Sequence, residues 1–131
     1  MSTPAPTLVD LDTAGFWEAA SRRELVVRSC LDCKSDLHFP RAYCKHCGSW
    51  NTLWRQVSPS GTLYSWIVPV RQTHPAFAVP YTVVLVELND APAVRLLGNL
   101  AGTPKLIAGM AMSVDWQELP NGTVIPQWQI T

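Results

Sequence analysis

Two Cys-x-x-Cys pairs, Cys30/Cys33 and Cys44/Cys47, stand ten residues apart in "CLDCKSDLHFPRAYCKHC", and the chain has no other cysteine. This spacing limits the fold more than any other feature. A Cys-x-x-Cys turn sets two sulfurs on one side of a tight knuckle. Two facing knuckles surround one tetrahedral ion, at ~2.3 Å per Zn–S bond. Gly48 follows the second pair and lets the chain turn where a side chain would clash. Pro40 suits the tip of the hairpin between the pairs. Four thiolates fill the tetrahedron, so such a site supports folding and leaves no position for water or substrate. A rubredoxin-like iron centre uses the same ligands. Dithiol redox chemistry needs only one pair and usually a βαβ setting, which is missing here. A closed structural site with one Zn2+ per chain is the preferred reading. His38 and His46 then have no vacancy to fill and read as surface residues.

The flanking segments differ in character. Residues 1–11, with Pro4 and Pro6, read as a flexible tail. Over 12–25 the spacing of Phe16, Trp17, Ala20 and Leu25 predicts a short helix, capped by Asp12 or Thr13. Residues 26–56, rich in Cys, His and Arg, form the ribbon. From 57 to 131 the chain turns to β. "GTLYSWIVPV", "PYTVVLVEL", "APAVRLLGNL", "GMAMSVDWQEL" and "NGTVIPQWQI" are five short strands separated by turn signals. In the fourth, Met110, Met112, Val114 and Trp116 alternate with Ala111, Ser113, Asp115 and Gln117. "AGTPKLIA", between the third and fourth strands, is a helical turn or a loop. Gly98 inside a strand suggests a bulge. Five strands with one irregular link outline an OB-fold; an SH3-like barrel or a small sandwich has a similar strand count. The fold class expected is mainly β: a short helix, a rubredoxin-like zinc ribbon and a five-stranded OB-fold barrel.

Composition narrows the function. The 131 residues carry no net charge, which argues against gripping nucleic acid by charge alone. No apolar run approaches the ~20 residues that span a bilayer. The start "MSTPAPTLVDLD" lacks the basic and apolar regions of a secretory signal, so a cytoplasmic location is expected. No Ser-His-Asp or Cys-His set, phosphate loop or carboxylate pair stands out. His74 is a lone histidine in a loop-like stretch. The reading is of a protein that binds and has no catalytic residues. Six tryptophans are more than so small a core can hold, so Phe16, Trp17, Trp50 and Trp54 are the candidates for a partner interface. Between residues 22 and 55, Arg22, Arg23, Arg28, Lys34, Arg41, Lys45 and Arg55 outnumber Glu24, Asp32 and Asp36, a net of +4. The metal site's own −2 takes up part of this excess.

In order, "FWEAASRREL", the "C-x-x-C…FP-R…C-x-x-C-G-S" stretch, "GTLYSWIVPV", "VPY-x-V-x-L-V-E-L", "LLGNL" and "IAGMAMSVDW" resemble the DUF35 family, from about residue 15 to near the end. The resemblance implies a rubredoxin-like zinc ribbon joined to an OB-fold. It implies a small non-catalytic subunit that stabilises a thiolase or a lipid-transfer-protein-like aldolase and borders its acyl-CoA. In some members a MaoC-type hydratase is the fusion or binding partner. Some members lack the cysteines; this chain keeps all four. Under this resemblance Arg41, Lys45 and Arg71 are candidates to meet CoA phosphates. The alternatives are a nucleic-acid-binding zinc-ribbon/OB module and a free-standing acyl-CoA-binding protein.

Overall fold

In the computed structural model, which describes residues 4–131, one helix precedes eight strands. The first three residues of the expected tail lie outside the described residues, and residues 4–13 run through turns without helix or strand. Helix α1 is Ala14–Ser21, shorter than the expected 12–25. Thr13 occupies the N-cap position, but no side chain caps the helix. The helix stops because the Arg22 and Arg23 amides bond back to the Ala19 and Ala20 carbonyls at 2.9 Å. Arg23 then turns to φ 58, a left-handed conformation that ends helices. Leu25 is therefore not on a helical face. It opens strand β1 (Leu25–Cys30), and its match to helical spacing was a coincidence of one apolar residue.

β1 lies between β2 (Asp36–Leu37) and β3 (Thr52–Val57) in a three-stranded antiparallel sheet. The β1–β3 ladder is unbroken, from Leu25 opposite Val57 to Cys30 opposite Thr52. The five remaining strands are β4 (Ser60–Ile67), β5 (Tyr81–Leu88), β6 (Arg95–Ala101), β7 (Ala111–Glu118) and β8 (Val124–Ile130). They pair in the order β6-β5-β4-β7-β8. β6 and β8 are closed on each other by side chains: Asn99 N donates to Gln127 Oε1 at 2.7 Å, and Trp128 Nε1 donates to the Leu96 carbonyl at 3.2 Å. This is the OB-fold arrangement; strand count alone left the barrel type open. The link between β6 and β7 is a loop.

The strand patterns explain the core. β5 alternates, burying Thr82, Val84, Val86 and Leu88. β7 turns Met112, Val114 and Trp116 inward, as the alternation predicts. Leu25, Val27 and Val57 from the ribbon sheet join Leu63, Val86, Met112 and Trp128 in one cluster, so ribbon and barrel share a core. Arg55 adds a polar tie. Its guanidinium meets Asp36 at 2.7 Å and donates to the Asp90 carbonyl of the barrel at 3.2 Å.

The bulge is not at Gly98. The β5–β6 register runs without interruption through Val84 opposite Gly98, and the irregularity falls in β4 between Leu63 and Ser65. Gly98 is there for proximity. A Cβ would lie 2.6 Å from Trp128 Cδ1 and 3.0 Å from Gln127 Oε1, the two side chains that close the barrel. Gly98→Ala should therefore cost roughly 1–3 kcal/mol by overpacking, read as a lower urea midpoint at an unchanged slope. An unshifted midpoint would show that the β6–β8 seam can relax.

Candidate metal centre and adjoining cleft

The two knuckles are near-repeats, "CLDCKS" and "CKHCGS". In each, the residue after the second cysteine takes a left-handed turn: Lys34 at φ 62 and Gly48 at φ 77. Their amides bond to the carbonyls of Cys30 and Cys44, at 3.0 and 2.8 Å. The amides of Cys30 and Cys44 in turn bond to the carbonyls of Ser35 and Ser49, at 2.9 and 2.8 Å. The second knuckle uses glycine for this turn, and the first bears the strain with lysine.

The knuckles bring four sulfurs together, all within 4.8 Å of one another. Cys30 Sγ is 3.7 Å from Cys47 Sγ, and Cys33 Sγ is 3.5 Å from Cys44 Sγ. These separations are too long for disulfides. They are close to the ~3.8 Å edge of a tetrahedron with ~2.3 Å metal–sulfur bonds. Cys30 and Cys44 are buried; Cys33 and Cys47 face solvent. Their thiols split apart in acidity. The Ser35 side chain and backbone hold Cys33 down to about 6. The Ser49 backbone pulls Cys47 down, but burial and its three sulfur neighbours outweigh it and push it up to about 12. Four thiols this close cannot all ionise unless a cation balances them. The donor set suits a four-thiolate ion such as zinc. The Asp32 carboxyl links the knuckles: Ser49 Oγ donates to it, and Asn51 Nδ2 does so at 3.4 Å. These bonds, that from Ser49 first, lower its pKa.

Beside the centre lies a cleft of about 500 Å³, bounded by α1, the ribbon and the barrel. Phe16 and Trp17 come from the helix, Arg28, Trp54 and the segment Leu37–Pro40 from the ribbon, and Leu96–Asn99 and Ile125–Gln127 from the barrel. Trp54 approaches the helix because residue 15 is glycine; a Cβ there would fall inside the indole, against Nε1. The Arg28 guanidinium lies over the Trp54 ring, 5.2 Å from its centroid.

The candidates sort as follows. Phe16, Trp17 and Trp54 meet at the cleft and are half-buried, so Trp17 and Trp54 are not the freely exposed residues expected. Trp50 is 75% exposed and stacks on Tyr43 at 5.5 Å, away from the cleft walls. Arg41 and Lys45 share a small recess with Leu37, Phe39 and Tyr43; Arg71 lies in the β4–β5 loop, outside it. His46 is exposed, but His38 is half-buried in the cleft wall, where burial and then Lys45 lower its pKa. Leu97, Asn99 and Gln127 escaped the sequence reading as site residues, and Arg28 entered it only in the charge count. Only Arg28, a cation within the apolar run "LVVRSC", carried a local signal.

Comparison with known proteins agrees with this geometry. Residues 17–51 match the family model described as "ChsH2, rubredoxin-like zinc ribbon domain", and residues 54–117 match "ChsH2, C-terminal OB-fold domain". A solved structure titled "Ltp2-ChsH2(DUF35) aldolase" contains a chain 36% identical to this one, with a TM-score of 0.84. The match covers 95% of this chain and 98% of that one. A DUF35 protein of unknown function from Sulfolobus solfataricus shares the fold at 14% identity and a TM-score of 0.60. The "Probable enoyl-CoA hydratase alpha subunit" of Thermomonospora curvata is 40% identical over 127 residues. The chain spans only 38% of that relative's length.

An exposed helical Gly→Ala change usually gains about 1 kcal/mol. Gly15→Ala should do the opposite, lowering stability by roughly 1–3 kcal/mol and shifting the indole emission as Trp54 is displaced. Thermal melts and tryptophan fluorescence check this; a stabilised variant with unchanged emission would contradict the packing.

Proposed function

Because the chain belongs to the ChsH2 family, a rubredoxin-like zinc ribbon joined to an OB-fold, we propose that it is a non-catalytic accessory subunit of an acyl-CoA enzyme. It docks on a thiolase-superfamily enzyme, a thiolase or a lipid-transfer-protein-like aldolase, and helps border the acyl-CoA site. The observation that carries this reading is the near full-length match to the ChsH2(DUF35) chain of a solved aldolase assembly. Cys30, Cys33, Cys44 and Cys47 hold one structural zinc, and the ion fixes the knuckles without taking part in chemistry.

Trp50, Phe39, Ile67, Val70 and Leu97 are each more than 60% exposed, and each is available to a partner surface. Trp50 is the main interface anchor; Phe16, Trp17 and Trp54 serve where the partner meets the cleft. Arg41 and Lys45, beside Phe39 and Tyr43, receive CoA phosphates, and Arg71 is a separate phosphate contact. A MaoC-type hydratase is the second partner this reading admits, favoured by the hydratase name of the longer relative. No helix of the described residues is long and apolar enough to cross a membrane.

Native mass spectrometry of the protein drawn from its host in mild salt should show one zinc per chain and a bound thiolase-type enzyme. A zinc-loaded chain with nothing attached would overturn the subunit reading. Cys44→Ser should release the metal and unfold the ribbon; stoichiometric zinc retained in that variant would refute the ligand assignment. Trp50→Ala should keep its zinc but weaken the complex by about 2 kcal/mol, roughly 30-fold in Kd. Titration calorimetry reads that change.

A further inference from the structure

The two knuckles are alike in sequence but differ in what their side chains do. Aligned cysteine on cysteine, "CLDCKS" and "CKHCGS" set Asp32 against His46 and Ser35 against Ser49. In the first knuckle the serine serves its own sulfur: Cys33 Sγ donates to Ser35 Oγ at 3.3 Å. In the second, Ser49 Oγ instead donates across to the Asp32 carboxylate of the first knuckle. Asn51 Nδ2 donates to the same carboxylate at 3.4 Å, and Asn51 N donates to Ser49 Oγ at 3.0 Å, so both ends of this bond are held. Asp32 adjoins Cys33, and Ser49 stands two positions after Cys47. Those are the two cysteines that face solvent; Cys30 and Cys44 are buried. Charge alone gives no reason for a carboxylate here. Four thiolates outweigh a dication, and a further negative charge beside them opposes binding. What Asp32 contributes is an acceptor that the other knuckle can bond.

We propose that Asp32 and Ser49 are positioning residues for the ion: their bond is a latch between the knuckles that keeps Cys33 and Cys47 closed on the metal and slows its release. Release from a four-sulfur site starts with one sulfur letting go, and an exposed sulfur is the one a competing chelator or thiol reaches. With the knuckles latched, a sulfur that lets go stays near the ion and rebinds. Without the latch the knuckles part. Groups of this kind, outside the ligand set, are typically worth ~10–100-fold in metal affinity. Asp32 is exposed, which puts the latch at the lower end of that range. The inference rests on the four-cysteine ion proposed above and on no partner enzyme.

The test uses the full zinc-loaded chain and an excess of a chromogenic zinc chelator, which reads the release rate directly. Ser49→Ala and Asp32→Ala should each release zinc about ten-fold faster. Asp32→Asn keeps an acceptor oxygen for Ser49 and should release it at most about two-fold faster than the parent. The Ser49→Ala/Asp32→Ala double variant should be no faster than either single change, because both remove the same bond. His46→Ala, at the matching place in the other knuckle, should leave the rate unchanged. Circular dichroism and the absorption of the cobalt-loaded forms check that each variant folds and keeps four-thiolate coordination. The latch is overturned by a parental release rate in folded Ser49→Ala, or by Asp32→Asn releasing zinc as fast as Asp32→Ala, which would make charge the cause. It is overturned as well by a double variant whose effect is the product of the single ones, or by an equal acceleration in His46→Ala. A parent chain that takes up no zinc would overturn the ligand assignment and the latch with it, so the two failures are distinguishable.

Discussion

The six-residue ladder between β1 and β3 is the connection on which everything else rests. One end pairs Cys30 with Thr52, beside the metal knuckles. The other pairs Leu25 with Val57, inside the barrel core. A two-stranded ribbon of this length is marginal alone in water. Here it is held at both ends, by a cluster of sulfurs and by burial of three of its apolar side chains in the barrel. The middle of the ladder then has fixed neighbours. Trp54 and Arg28, opposite one another in register, are placed against α1 and the cleft by that arrangement.

Charge follows the same division. Around the sulfurs, hydrogen bonds to Ser35 and Ser49 favour thiolate at individual positions, while mutual crowding opposes it. A cation among the four sulfurs would relieve the conflict, which fits the zinc-ribbon match of this segment. At the cleft the Arg28 guanidinium meets no carboxylate among the described residues; it is held instead by the Thr52 hydroxyl at 2.9 Å and by the face of Trp54.

Much of the scaffold was legible because its signals are local. The knuckle spacing, the alternation of β5 and β7 and the turn residues each act within a few positions. The errors share a different cause. Gly98 looked like a bulge because nothing in its own strand reveals that Trp128, thirty positions on, needs the space. Leu25 continued a helical rhythm by chance, and the turn at Arg23 that breaks it uses a residue with no preference for that conformation. Trp17 and Trp54 looked exposed because a count of tryptophans cannot say which ones face each other across a fold. The cleft was not legible at all. Its walls come from residues near 16, 28, 38, 54, 97 and 126, and only the closed barrel and the docked helix bring them together.

The metal centre and the cleft are not independent. Leu37–Pro40, which form part of the cleft wall, lie in the hairpin between the two knuckles. That wall is tied to the sulfur cluster through the chain on either side of it and to β1 through the pairing of Leu37 with Arg28. Whatever fills the cleft touches this hairpin, the helix and the barrel at once, and so favours the arrangement that the ion favours. Two ligands that stabilise the same state strengthen each other's binding by the same factor, whichever arrives first. An ion held by the four sulfurs would therefore bear on the cleft without lining it: by drawing the knuckles together it would favour the hairpin position that completes the wall.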